Sequence, residues 1–142
     1  MAQGNQNPLD PAPASIRVRL AGVWTSTMLC YAYADYFGLY VKGNVAEMNR
    51  GLMGPLGEAT PGVLLGVGVM MAVPALMVLL SLILPAALAR WANIVTGLAY
   101  TAIQGMTMIG GAQPYYLMFG TVEMILTLAV AVLAWRWPRA GG

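Results

Sequence analysis

The stretch "PGVLLGVGVMMAVPALMVLLSLIL", Pro61 to Leu84, contains no charged side chain. At 1.5 Å per residue, about twenty helical residues cross a bilayer's hydrocarbon core of about 30 Å. This stretch is long enough. Thr60 offers an N-cap hydroxyl, and Pro61 falls at the first helical position, where its missing N–H is not needed. Pro74, inside the run, predicts a kink.

Three more apolar segments flank this one: Leu20 to Tyr40, Trp91 to Ile109 and Pro114 to Trp135. Of the 142 residues, 59% are hydrophobic and 8% charged, against roughly a quarter charged in soluble domains. Membrane helices also favour glycine, which lets backbones approach closely, and the chain has 17 glycines. The 11 methionines read as lipid-facing or packing residues. The predicted fold class is therefore all-α: a four-transmembrane-helix bundle over residues 17–138. Residues 1–16, polar and proline-rich, read as a disordered cytoplasmic tail, and residues 139–142 as a second tail. "PAALAR" is short enough to make the second and third helices an antiparallel hairpin, and "GGAQP" is a tight turn. Lys42 to Ala59 forms the longest connection, partly ordered at the surface.

The basic residues set an orientation. Arg17, Arg19, Arg90, Arg136 and Arg139 fall at one end, and Lys42 and Arg50 at the other, beside Glu47 and Glu58. The positive-inside rule then places both termini in the cytoplasm. Trp91, Trp135 and Trp137 at that end, with Tyr36, Tyr40, Tyr115 and Tyr116 at the other, match two interfacial aromatic belts.

Cys30 is the sole cysteine and the chain has no histidine. An intrachain disulfide, a CxxC pair, a zinc cluster, a histidine-ligated haem and His-assisted nucleophilic catalysis are thereby excluded. A net charge of +2 gives too little basic surface for nucleic acid. "GLMGPLGEATPG" lacks the lysine and the strand-to-helix context of a phosphate loop. Ala32-Tyr33-Ala34 has the A-x-A form of a signal-peptidase site, but apolar character continues through "YFGLYV" and a membrane helix explains the same residues. Leu29 stands before Cys30 where a lipoprotein signal wants a small residue.

Against this background the intramembrane polar residues stand out, because each is costly in lipid unless paired or hydrated. Glu123 lies about 13 Å below the outer end of the fourth helix, too deep to snorkel easily. Helical spacing of three and four gathers Trp24, Met28, Tyr31 and Asp35 into one stripe; Asn93, Gly97, Tyr100 and Gln104 form a second, and Tyr116, Gly120, Glu123 and Thr127 a third. If the stripes face one another, Glu123, Asp35, Gln104, Tyr31, Tyr100 and Tyr116 line a ligand- or proton-binding pocket in the outer half of the bilayer. The competing reading is helix packing, with polar side chains holding the bundle together. Asn93, beside Arg90 and Trp91, is assigned a structural helix-end role, and "GVLLG", Gly62 to Gly66, is read as a packing motif used within the bundle more than for dimerisation.

"DYFGLY" ending the first helix, "VPALMVLLSLILP" closing the second, "RWANIVTGLAYT" opening the third and "VEMILTLAVAVLAWRWP" forming the fourth carry a resemblance. The chain is similar to small, uncharacterised bacterial four-helix membrane proteins and resembles the DoxX-like group in layout. This implies a multi-pass bundle in the bacterial inner (plasma) membrane and supplies no reaction. The expected function is binding of a lipid-like or quinone-like small molecule in the polar pocket, or service as an accessory subunit. The alternative is a proton-coupled transporter using Glu123. An enzyme has least support, because two carboxylates lack any nucleophile, metal or phosphate site beside them. No metal or cofactor is expected. The expected partners are the lipid bilayer and a larger membrane complex or a second copy of the chain, and not nucleic acid.

Overall fold

The computed structural model describes residues 14–109 and 111–138. The expectations for the two tails and for Arg139 fall largely or wholly outside that range. The chain forms helices α1 (Ile16–Gly38), α2 (Asn44–Asn49), α3 (Pro61–Ile83), α4 (Ala86–Thr107) and α5 (Pro114–Trp135). No sheet forms among the described residues; a lone bridge pairs Leu52 with Glu58. Ser15 caps α1 by accepting from the Val18 N–H at 3.4 Å, and Thr60 caps α3 by accepting from the Val63 N–H at 3.3 Å. The long connection is ordered by α2 and a 3₁₀ turn at Gly54–Leu56. Gly43, at φ 96°, supplies the left-handed residue ahead of α2.

Two helix starts differ from expectation. α1 begins at Ile16, ahead of Leu20, and α4 at Ala86, ahead of Trp91. Pro85 ends α3 and is compatible with the start of the next helix, and the alanine-rich "AALA" that follows has the strongest helix propensity available. Arg90 is therefore inside α4 and not in a linker.

The four long helices close a ring. α1 packs between α3 and α5, α4 packs most extensively on α5, and α3 meets α4 least. Neighbours run antiparallel: Ser81 bonds Asn93 and Tyr100 bonds Met70 across α3 and α4. Arg90 bonds the Trp135 carbonyl and Tyr116 bonds Thr107 across α4 and α5. The start of α1, the α3–α4 corner and the end of α5 consequently share one end of the bundle. There one Arg17 Nη donates to the carbonyls of Ser81, Leu82 and Leu84, at 3.2, 3.0 and 2.7 Å, satisfying the C-terminus of α3.

A core of Leu20, Trp24, Met77, Ile94, Val130 and Ala134 fills this half of the bundle. Polar groups are buried with it: Thr27, Ser81, Asn93, Gln104, Glu123 and Thr127 are all nearly inaccessible. Apolar side chains face outward instead. On α3, Leu64, Leu65, Val69, Leu76, Leu79, Leu82 and Ile83 are exposed, and its buried residues are Pro74, Met77 and Ser81.

α3 and α5 are long and apolar enough to cross a membrane. α1 and α4 are as long, but the polar residues they turn inward, Thr27 and Tyr31 on one, Asn93, Tyr100 and Gln104 on the other, lower their apolar character. The expectation of four candidate spans is thus met by two.

The glycines of "GVLLG" do not mediate a close helix approach within the chain. A Cβ on Gly66 would meet nothing within 4 Å, and one on Gly62 would meet only Thr60, at 3.9 Å. Close helix approach occurs elsewhere, at Gly97, where a Cβ would lie 2.8 Å from the Thr127 carbonyl and 3.1 Å from the Ala131 nitrogen.

Candidate functional site

Two polar clusters occupy successive levels of the bundle. The first centres on Asn93, which is fully buried. Its Oδ1 accepts from Trp24 Nε1 at 2.8 Å and from Ser81 Oγ at 3.1 Å, while its Nδ2 donates to the Ala89 carbonyl at 2.8 Å. One amide thereby ties α1, α3 and α4 together. This corrects the helix-end assignment: with α4 starting at Ala86, Asn93 lies in the helix interior, and its role is to link helices.

The second cluster surrounds a cavity of about 90 Å³ in the half of the bundle away from the termini. Tyr31 and Asp35 reach it from α1, Tyr100 and Gln104 from α4, and Tyr116 and Glu123 from α5. All six candidates read from the helical stripes therefore line one space. α3 contributes Met70 and Met71, which no stripe marked because that helix is apolar on every side. Ala34, Ile103 and Thr107 complete the wall.

Local backbone chemistry positions these side chains. Pro74 has no N–H to give the carbonyl four residues back, which is that of Met70. The Tyr100 hydroxyl donates to that carbonyl at 2.5 Å, so the proline inside α3 leaves open the acceptor that anchors an α4 side chain. The Tyr100 ring also meets Trp24 edge-on, with centroids 6.2 Å apart. Gly120 makes room for Gln104: a Cβ there would lie 2.6 Å from Gln104 Nε2 and 2.9 Å from Met108 Sδ. Below the cavity, Thr101 and Thr127 join their hydroxyls at 2.8 Å, and Thr127 also donates to the Glu123 carbonyl at 2.9 Å. At the rim, Tyr116 donates to Thr107 Oγ1 at 3.1 Å.

Glu123 is 2% exposed. Its Oε1 and the Nε2 of Gln104 are both buried and have no hydrogen-bond partner among the described residues. The two residues that carry this unsatisfied acceptor and donor line the same cavity, and the one other such buried side-chain atom among the described residues, Arg90 Nε, lies at the opposite end of the bundle. Asp35, by contrast, is an exposed residue at the cavity wall. No group of three or more metal-ligating side chains occurs among the described residues.

Fold and pocket together define an all-α protein with polar side chains buried beside an apolar core, an apolar exterior and two helices long and apolar enough to cross a membrane. The chain belongs to a family of unknown function, DUF6326, which matches residues 15–141. No curated protein and no solved structure matches it.

Proposed function

We propose that the chain spans the plasma membrane four times, with both termini in the cytoplasm, and holds the small polar head of a lipid-like molecule beside Glu123. Support for the membrane placement comes from the inverted distribution of polarity. In lipid, outward-facing leucines and valines are solvated and buried amides and hydroxyls must bond one another; in water the same surface would be a large apolar liability. The arginines at the end shared by the termini support the orientation, and the resemblance to bacterial inner-membrane proteins supports the compartment.

The observation that carries the binding reading is the unpartnered pair, Glu123 Oε1 and Gln104 Nε2, at one cavity. An unsatisfied polar atom in a low-dielectric interior costs about 1–3 kcal/mol, so a group that donates to the carboxyl and accepts from the amide gains from both. A hydroxyl, an amide or hydrated waters meet that requirement. The cavity's volume of about 90 Å³ equals roughly three waters at ~30 Å³ each and falls short of the ~150 Å³ that accommodates benzene. A lipid-like molecule with a compact head fits this space better than a quinone ring does. The protein acts in this reading as a binder or accessory subunit, not an enzyme.

Native mass spectrometry of the protein released from mild detergent tests the proposal. The wild-type chain carries a bound small molecule, Glu123→Gln retains it in part, and Glu123→Ala loses it. Identical spectra for all three, with no adduct, would sink the reading.

A second reading, proton-coupled transport, is favoured by one observation: a buried and an exposed carboxylate, Glu123 and Asp35, line the same cavity. Proton release on adding tetraphenylphosphonium to the purified protein supports that alternative, and its absence argues against it.

A further inference from the structure

At the end opposite the pocket lies an open cleft of about 520 Å³, lined by Arg90, Trp91, Trp135, Arg136 and Trp137. Among the described residues two cations and three indoles face it, with no carboxylate in its wall. Its arginines differ from Arg17, whose guanidinium is occupied by three carbonyls of α3. Arg90 Cζ lies 5.8 Å from the ring centroids of both Trp91 and Trp135, within cation–π range of each. Its one hydrogen bond among the described residues, to the Trp135 carbonyl, is long at 3.3 Å, and its Nε is buried without a partner. Most of the N–H groups of Arg90 thus have no partner among the described residues.

Two apolar stripes lead away from the cleft. Leu88, Trp91 and Val95 follow one face of α4, and Leu128, Val132 and Trp135 one face of α5. All six are exposed, from 44% at Val132 to 64% at Val95. A freely diffusing anion would make no use of these stripes, whereas acyl chains would cover them.

We propose that this cleft seats the phosphate of an anionic phospholipid between Arg90 and Arg136, with its acyl chains lying along the two stripes. The indoles flank the headgroup at the level where aromatic rings prefer to sit. Arg90, within cation–π range of two indoles, supplies N–H groups, and Arg136 adds charge from the rim. This site rests on the membrane placement above and is independent of the pocket at Glu123.

The test titrates the full-length detergent-solubilised chain with dioleoylphosphatidylglycerol and, separately, with dioleoylphosphatidylcholine, counting bound lipids by native mass spectrometry. A basic residue near the surface strengthens attraction to anionic lipid by about fivefold. Phosphatidylglycerol is therefore expected to bind at least about tenfold more tightly than phosphatidylcholine. Arg136→Gln should reduce that preference by about fivefold, and adding Arg90→Gln should abolish it. Arg136 lies just past the last residue of α5, so its substitution keeps the test valid if Arg90→Gln disturbs folding. Equal binding of the two lipids, or a preference untouched by Arg136→Gln, overturns the proposal. So does displacement of phosphatidylglycerol by inorganic phosphate at matched concentration, which would mark a simple anion site. Binding of phosphatidylcholine with no charge preference would leave the membrane placement standing while removing this site.

Discussion

Tyr100→Phe removes one oxygen and tests how α3 and α4 are joined. The phenol donates to the Met70 carbonyl at 2.5 Å, an acceptor left open because residue 74 is proline. The ring still packs edge-on against Trp24 at an interplanar angle of 88°, so the substitution isolates the hydroxyl. An orphaned buried acceptor costs about 1–3 kcal/mol, while hydrogen bonds measured between membrane helices average ~0.6 and reach ~1.7 kcal/mol. We expect a loss of about 1.5 kcal/mol at the overlap of those ranges. In a Pro74→Ala background the new Ala N–H reaches the Met70 carbonyl, and Tyr100→Phe should cost less than about 0.5 kcal/mol. The resulting coupling of about 1 kcal/mol can be read from a double-mutant cycle, using reversible unfolding in mixed micelles followed by far-ultraviolet circular dichroism. Strict additivity of the two substitutions would refute the link between the proline and the tyrosine.

Gly97→Ala places a methyl group 2.8 Å from the Thr127 carbonyl; because that atom is backbone, α4 and α5 must separate, and unfolding in the same micelles should show a loss of about 1–3 kcal/mol. Asn93→Ala leaves Trp24 Nε1 buried without its acceptor and should cost about 1–3 kcal/mol, whereas Ser81, which also bonds the Met77 carbonyl at 2.6 Å, should lose far less when changed to Ala. Topology is checked in a Cys30→Ser background carrying either Lys42→Cys or Pro138→Cys: an impermeant maleimide added to intact cells should label only the first, and labelling of the second instead would reverse the orientation.

The parts of this structure that a reader can extract from the sequence are those where chemistry and helical period coincide. Tyr31 and Asp35, Tyr100 and Gln104, four apart, and Tyr116 and Glu123, seven apart, are polar residues one or two turns from each other on otherwise apolar helices, so each pair marks a face, and the three faces meet at one cavity. α3 offers no such contrast. Its contributions, the Met70 carbonyl and Ser81, depend on a missing proline N–H and on a single hydroxyl among leucines, and only the position of Pro74 hints at the first. Arg90 and Trp91 look like a helix end and pull Asn93 with them, but the alanines before them extend the helix and place Asn93 in its interior. Small-residue spacing likewise marks where close approach is allowed, not where a partner stands: Gly62 and Gly66 face open space, whereas Gly97 and Gly120 admit a neighbouring helix and a glutamine. The polar faces of α1 and α4 also explain their weaker span signal, since the residues that build the interior reduce the hydropathy of the helices carrying them.

The most direct test of the central claim is a structure of the protein in a lipid nanodisc, resolved well enough to see the space beside Glu123. The account predicts non-protein density within hydrogen-bonding distance of both Glu123 Oε1 and Gln104 Nε2. A direct hydrogen bond between those two side chains across an otherwise empty cavity would contradict it.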